Sequence, residues 1–156
     1  MIINTIVNND IVSLTLPSGA VTLDVIREHL HLKGTKEGCR EGDCGSCMIL
    51  LGKLNKNDIQ YRIVNSCLLP IIEIANAHVV TIEGLNSKDL TPIQQNFVDE
   101  GASQCGFCTP GFIISITGYL LYSKNLNTDQ AISFLSGNIC RCTGYKSIER
   151  AIKKLI

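Results

Sequence analysis

Eight cysteines fall into two sets of four along this 156-residue chain, and that grouping constrains the fold more than any other feature. Cys39, Cys44, Cys47 and Cys67 form the first set. Cys105, Cys108, Cys140 and Cys142 form the second, after 37 residues without a cysteine. Whether such a pattern means disulfides or metal depends on the compartment. The N-terminus, MIINTIVNNDIVSLTLPSG, alternates like a strand and lacks the basic, apolar and small-residue regions of a secretory leader. The longest apolar stretch, Phe112 to Tyr122, is interrupted by Ser115, Thr117 and Gly118. At about 11 residues it is short of the ~20 that span a bilayer. The expected location is therefore the cytoplasm, with no membrane span, and there metal binding is the better reading of the cysteines.

Composition narrows the partners. Fourteen basic residues balance fourteen acidic ones, so no strongly basic face is implied and nucleic acid is not an expected partner. Apolar residues make up 45% of the chain and charged ones 18%, enough for a packed core and unlike a disordered chain.

The two halves differ in pattern. Ile2 to Val7 and Ile11 to Leu16 are β-rich runs joined by Asn8-Asn9-Asp10. Thr22 to Leu32 carries Leu23, Ile26 and Leu30 at helical spacing, with Gly34 as a stop. Met48 to Leu51 and Tyr61 to Val64 read as strands around a polar loop, Lys53 to Asp58, and His78 to Glu83 as a last strand. A hairpin, a helix and further strands is the order of a β-grasp domain. The second half reads as four helices. Thr91, Pro92 and Gln94 make a capping box for the first, which ends near Gly101. Pro110 starts the second, Thr128 caps the third before Gly137-Asn138, and Ser147 caps the fourth. The fold class is thus α+β. An N-terminal ferredoxin-like β-grasp domain spans 1–83, a linker 84–90 and a C-terminal four-helix-bundle domain 91–156.

The first set lies in KEGCREGDCGSC, with spacing Cys-x4-Cys-x2-Cys and nineteen residues between Cys47 and Cys67. This is the plant-type [2Fe–2S] ferredoxin arrangement. Such a cluster is negatively charged in both redox states, and burying even one small ion unaided costs ~20 kcal/mol in the idealised limit. Backbone N–H groups must therefore face the sulfurs. Gly38, Gly42 and Gly45 allow the loop to wrap closely enough. Zinc would accept four thiolates too, but its motifs usually come as two short knuckles rather than a glycine-rich three-cysteine loop.

The second set pairs QCGFCTPG with SGNICRCTGY. Cys140 and Cys142 are one residue apart and cannot both point inward from a regular helix, so they are expected on a loop, framed by Gly137 and Gly144. Cys108 precedes a helix N-terminus, where the macrodipole favours negative charge. On spacing alone this set could also be a structural zinc site. His29, His31 and His78 lie outside both sets.

Taken together, KEGCREGDCGSC, Cys67, QCGFCTPG and SGNICRCTGY resemble the iron–sulfur subunit or domain of the molybdenum hydroxylases, the xanthine dehydrogenase and aldehyde oxidoreductase family. The resemblance covers nearly the whole chain. Ser46 and Met48 stand where the family often has Ala and Thr, and Ile139 where it often has Leu. The resemblance implies one [2Fe–2S] cluster on Cys39, Cys44, Cys47 and Cys67, facing an FAD-binding medium subunit. It implies a second on Cys105, Cys108, Cys140 and Cys142, facing a molybdopterin-binding large subunit. Gln104 matches the residue that hydrogen-bonds the pterin, and Cys142 the cluster ligand nearest to it. The implied activity is relay of single electrons from molybdenum through two clusters to FAD, with no catalytic acid, base or nucleophile on this chain. CREGDC and the long spacing before Cys67 look more like xanthine dehydrogenases than carbon monoxide or nicotinate enzymes, which points to a purine such as xanthine as substrate. Two other readings are a free-standing ferredoxin-type carrier and a zinc-stabilised interaction module.

Overall fold

The computed structural model of the chain describes residues 1–86 and 88–156, so Ser87, inside the expected linker, lies outside the described residues. Strands β1 (Ile2–Val7) and β2 (Asp10–Thr15) form the expected hairpin, closed by a two-residue turn at Asn8 and Asn9. Asn8 takes the left-handed conformation such turns need, with φ 55°. Along β1, alternate residues Ile3, Thr5 and Val7 are buried, as a strand with one face on a core requires.

Helix α1 begins at Thr22–Asp24 and continues as a π-helical turn over Val25–His29. It stops earlier than the apolar spacing suggests. The residue that reverses the chain is His31, at φ 57°, three positions before Gly34. Strands β3 (Met48–Asn55) and β4 (Asp58–Asn65) are longer than expected. The polar run Lys53 to Asp58 is not a loop but the outer end of this hairpin, with Asn55 paired to Asp58. Its side chains are exposed, so no hydrophobic alternation marks it. Strand β5 (His78–Val80) is short, because Ile82–Leu85 turns into a 3-10 helix.

The five strands form one mixed sheet in the order β2-β1-β5-β3-β4, with β5 parallel to β1 and antiparallel to β3. One core forms between the sheet and α1, around Ile3, Val25, Ile26, Ile49, Leu51, Ile71, Ile74 and Val79. Each such fully buried aliphatic side chain contributes roughly 1.5–3 kcal/mol.

Helices α2 (Pro92–Asp99), α3 (Thr109–Tyr122), α4 (Thr128–Phe134) and α5 (Lys146–Leu155) pack around a second core. Its largest members include Phe97, Phe112, Ile116, Tyr119 and Ile152. The capping box of α2 is present. The Gln94 N–H donates to the Thr91 hydroxyl, and the Thr91 N–H to Gln94 Oε1 at 2.8 Å. Two caps differ from expectation. Asn127, not Thr128, caps α4 by accepting the Gln130 N–H at 3.0 Å. Ser147 is buried within α5, and the helix starts after Tyr145, whose φ of 65° turns the chain into it. Glu100 holds the far end of α5 to α2 through Arg150 and Lys154.

The halves meet along α3. Ile114 is fully buried against Leu50 and Val80 of the sheet, with Met48, Tyr61, Ile63 and Leu85 around them. Gly118 permits this approach, since a Cβ there would run into Ile63 and come within 3.1 Å of Leu50 Cδ2. Gly118→Val should therefore overpack the joint at a cost of about 1–3 kcal/mol. Thermal unfolding followed by circular dichroism should show a Tm lowered by roughly 2–4 °C for each kcal/mol lost. An unchanged Tm would mean that the joint yields freely.

Candidate metal centres

The first site is built by the irregular loop that leads into β3, together with the 3-10 turn Ser66–Leu68. It brings Cys39, Cys44, Cys47 and Cys67 together. Cys39 is the most activated. N–H groups of Glu41, Cys44 and Asp43 face its sulfur, the first at 3.3 Å, and pull its thiol down to about 7. These are the donors a buried cluster needs. Gly42 and Gly45 have φ of 84° and 69°, the left-handed region that a loop wrapping back on itself requires. Gly38 serves differently. A Cβ there would sit 2.8 Å from Cys44 Sγ and 2.7 Å from Ser46 Oγ, filling the space beside the sulfur. Cys47 and Cys67 are buried, and burial, with the neighbouring Cys67, pushes the Cys47 thiol up to about 12.

Arg40, at φ 59°, reaches Asp24 on α1 and Glu37 on the loop. The three side chains are each about two-fifths exposed or more, so the bridges hold the loop only weakly.

The second site lies between the α2–α3 connection and the α4–α5 loop. Cys140 and Cys142 are on irregular backbone, as their spacing demands. Cys105 and Cys142 are exposed and interact with each other, which raises the Cys142 thiol. Cys108 and Cys140 lie deeper. Burial, then the Cys140 thiol, pushes Cys108 up to about 12. At Cys140 burial also opposes ionisation. The Thr143 hydroxyl at 3.2 Å, with the Thr143 and Cys142 N–H groups, outweighs it and holds the thiol below its ordinary value. Tyr145 closes the loop, its hydroxyl accepting the Cys140 N–H at 3.0 Å. Gln104 is exposed and precedes the exposed Cys105 in the chain.

Within each set, thiol side chains meet two by two, Cys39 with Cys44, Cys47 with Cys67, Cys105 with Cys142 and Cys108 with Cys140, while Cys44 also acts on Cys47, Cys105 on Cys108 and Cys140 on Cys142 through charge. Among the described residues, no three Cys, His, Asp or Glu side chains converge closely enough to hold a single metal ion. Two pairs of thiols suit a two-iron group, with one pair for each iron. All-thiol donors, inward N–H groups and the space kept beside Cys44 Sγ fit the same group.

The sites are joined directly. The Ile139 N–H donates to the Cys44 carbonyl at 3.0 Å, and the Asn138 side-chain amide donates to the Gly45 carbonyl at 3.2 Å. Asn138 is buried, and its Oδ1 has no hydrogen-bond partner among the described residues. Gly45 and Gly111 let the backbones touch: a Cβ on Gly111 would strike the Gly45 carbonyl, and one on Gly45 the Gly137 carbonyl. Asn138, Ser46, Thr143 and Tyr145 were not legible as site residues from spacing. None is a metal ligand type in a recurring pattern, and each acts through a neighbour brought near by folding.

The thiol values order reactivity in the metal-free chain. The reactive thiolate predominates above a group's pKa, so Cys39 should be alkylated by iodoacetamide increasingly through pH 7, while Cys47 and Cys108 stay protonated. Peptide mass spectrometry after a short exposure should find Cys39 labelled well before those two. Equal labelling of all three would contradict the placement of the N–H donors.

Comparison with known proteins agrees with this chemistry. Residues 6–71 match a 2Fe-2S iron-sulfur cluster binding domain and residues 81–153 a [2Fe-2S] binding domain. Xanthine dehydrogenase 1 of Arabidopsis thaliana is 40% identical over 146 residues, covering 88% of this chain and 11% of that protein. Aldehyde oxidase 1 of Oryctolagus cuniculus is 40% identical over 135 residues, covering 84% of this chain and 10% of that protein. This chain thus spans about a tenth of the length of these relatives. Among solved structures, a chain of quinoline 2-oxidoreductase from Pseudomonas putida 86 superposes with a TM-score of 0.85 at 33% identity, covering 97% of this chain and 90% of that one. Aldehyde oxidoreductase from Desulfovibrio gigas superposes with a TM-score of 0.88 at 33% identity, over 97% of this chain and 16% of that one. With paired thiols at both sites and a matching chain covered almost end to end, this chain belongs to the [2Fe–2S] iron–sulfur family of the molybdenum hydroxylases, the xanthine dehydrogenase and aldehyde oxidase group.

Proposed function

We propose that this chain is the electron-transfer subunit of a molybdopterin-dependent hydroxylase, relaying single electrons from a molybdenum centre on one partner chain to FAD on another. The direct hydrogen bond from Ile139 N–H to the Cys44 carbonyl carries the reading, because it joins a loop residue next to Cys140 to a residue of the other set. Cys39 with Cys44 would hold one iron of the first [2Fe–2S] cluster, and Cys47 with Cys67 the other. Cys105 with Cys142, and Cys108 with Cys140, would do the same in the second. When bound, each cluster accepts one electron at a time. The chain's own part is to fix position, supply N–H donors to the sulfurs and exclude water from Cys47, Cys67 and Cys140, which are buried.

In this reading the mixed sheet with α1 is a β-grasp ferredoxin-like domain over 1–83, and α2 to α5 are a four-helix-bundle domain over 91–156. The open side of the second site, with Gln104, Cys105 and Cys142, meets the molybdopterin-binding large subunit. There Gln104 hydrogen-bonds the pterin and Cys142 is the nearest cluster ligand. The loop around Cys39 faces the FAD-binding medium subunit. Eight free thiols suit the reducing cytoplasm. Among the described residues no helix is long and apolar enough to cross a membrane. The substrate, a purine such as xanthine, binds on the large subunit, and this chain offers no catalytic group.

Affinity purification of the chain from its native cell should bring down a molybdopterin-binding and a flavin-binding chain. In that complex, Cys142→Ala should abolish the EPR signal of the second cluster and slow flavin reduction by substrate at least a hundredfold, as an order-of-magnitude expectation for a broken carrier. The first cluster's signal should remain. Unimpaired flavin reduction in that variant would overturn the relay.

A further inference from the structure

We propose that Ser46 sets the reduction potential of the first site by donating a hydrogen bond to the Cys44 thiolate. The inference rests on the two-cluster reading above and concerns a residue that is not itself a ligand. Ser46 is 4% exposed, and its hydroxyl lies 3.1 Å from Cys44 Sγ. Either atom could donate while Cys44 is a thiol. Once Cys44 is an iron ligand it has lost its proton, and the hydroxyl is the sole possible donor of the pair. Gly38 keeps the space open, because a Cβ there would press on both Ser46 Oγ and Cys44 Sγ.

The direction of the effect follows from charge. Reduction adds one negative charge to a cluster that is already negative. A donor aimed at a ligand sulfur stabilises the more negative state more strongly, so the hydroxyl raises the potential. Burial leaves little water to substitute for it. Among the described residues the first set has one other polar side chain on a sulfur, Asn65, but it presents its carbonyl Oδ1 to Cys47 at 3.6 Å while its amide nitrogen donates to the Gly42 carbonyl. Ser46 is thus the hydroxyl donor of the first site as Thr143, at 3.2 Å from Cys140 Sγ, is of the second.

With clusters held by the two cysteine sets, one electron given up by the reduced second site would be taken up by the oxidised first site, one ferric ion there becoming ferrous as the second site returns to its oxidised state. Ser46 keeps its proton throughout. Its hydrogen bond makes the first site the better resting place for that electron, on the side from which it departs to flavin.

Dithionite titration of the assembled complex, followed by EPR, tests this. Ser46→Ala should shift the reduced-to-oxidised ratio of the first site about tenfold toward oxidised at a given potential, which is ~59 mV for a one-electron couple. Ser46→Thr, which retains a hydroxyl, should restore the wild-type midpoint, and the second site should not move in either variant. Where alanine does not permit loading, Ser46→Gly also lacks the hydroxyl and adds no bulk. An unshifted first-site midpoint in the hydroxyl-free variant overturns the role of Ser46 while leaving the two-cluster reading intact. Wild-type complex that shows no pair of [2Fe–2S] signals overturns the reading beneath it.

Discussion

Two hydrogen bonds hold the cysteine sets against each other: Ile139 N–H to the Cys44 carbonyl, and the Asn138 amide to the Gly45 carbonyl. An electron carrier with two stations must keep them close without burying unpaired backbone groups between them. The chain meets that constraint by letting bare backbone touch bare backbone. Gly45, Gly111 and Gly137 crowd the crossing so closely that a side chain on Gly45 or Gly111 would force it open. The buried Asn138 Oδ1, without a hydrogen-bond partner among the described residues, is a cost of about 1–3 kcal/mol accepted there. The amide cannot turn over to relieve it, because its nitrogen faces the Gly45 carbonyl.

The rest of the fold supplies rigidity on either side of this crossing. The sheet and α1 bury one core, and the helices bury another. Helix α3 belongs to both sides, since it starts at the second site and runs across β3 and β4 through Ile114 and Gly118. Its first residue follows Cys108 directly. A shift of α3 would therefore change the packing of the halves and the placement of a thiol together. The N–H donors around Cys39 and the hydroxyls of Ser46 and Thr143 then act on sulfurs already held in place.

Much of this was legible in the chain. The strand and helix order follows from period-two and 3.6-residue patterns, and the capping box at Thr91 and Gln94 fixed one helix start correctly. The misses have separate physical causes. The outer ends of β3 and β4 stand in solvent, so their residues Lys53 to Asp58 carry no core-facing alternation. The starts of α4 and α5 are set by Asn127 and by the left-handed Tyr145, and Tyr145 adopts that conformation in a loop tied to Cys140. The cysteine sets were visible by spacing, but their division into pairs was not. Pairing depends on which loop faces which, and that is decided by long-range contacts such as Ile139 with Cys44.

The central claim is that each set of four thiols holds a two-iron group, and the most direct measurement is metal and sulfide analysis with EPR on anaerobically purified protein. The account predicts a red-brown protein with about four iron and four acid-labile sulfide per chain, two for each site, and two distinct [2Fe–2S] signals after reduction. Colourless protein carrying stoichiometric zinc and no sulfide would contradict it.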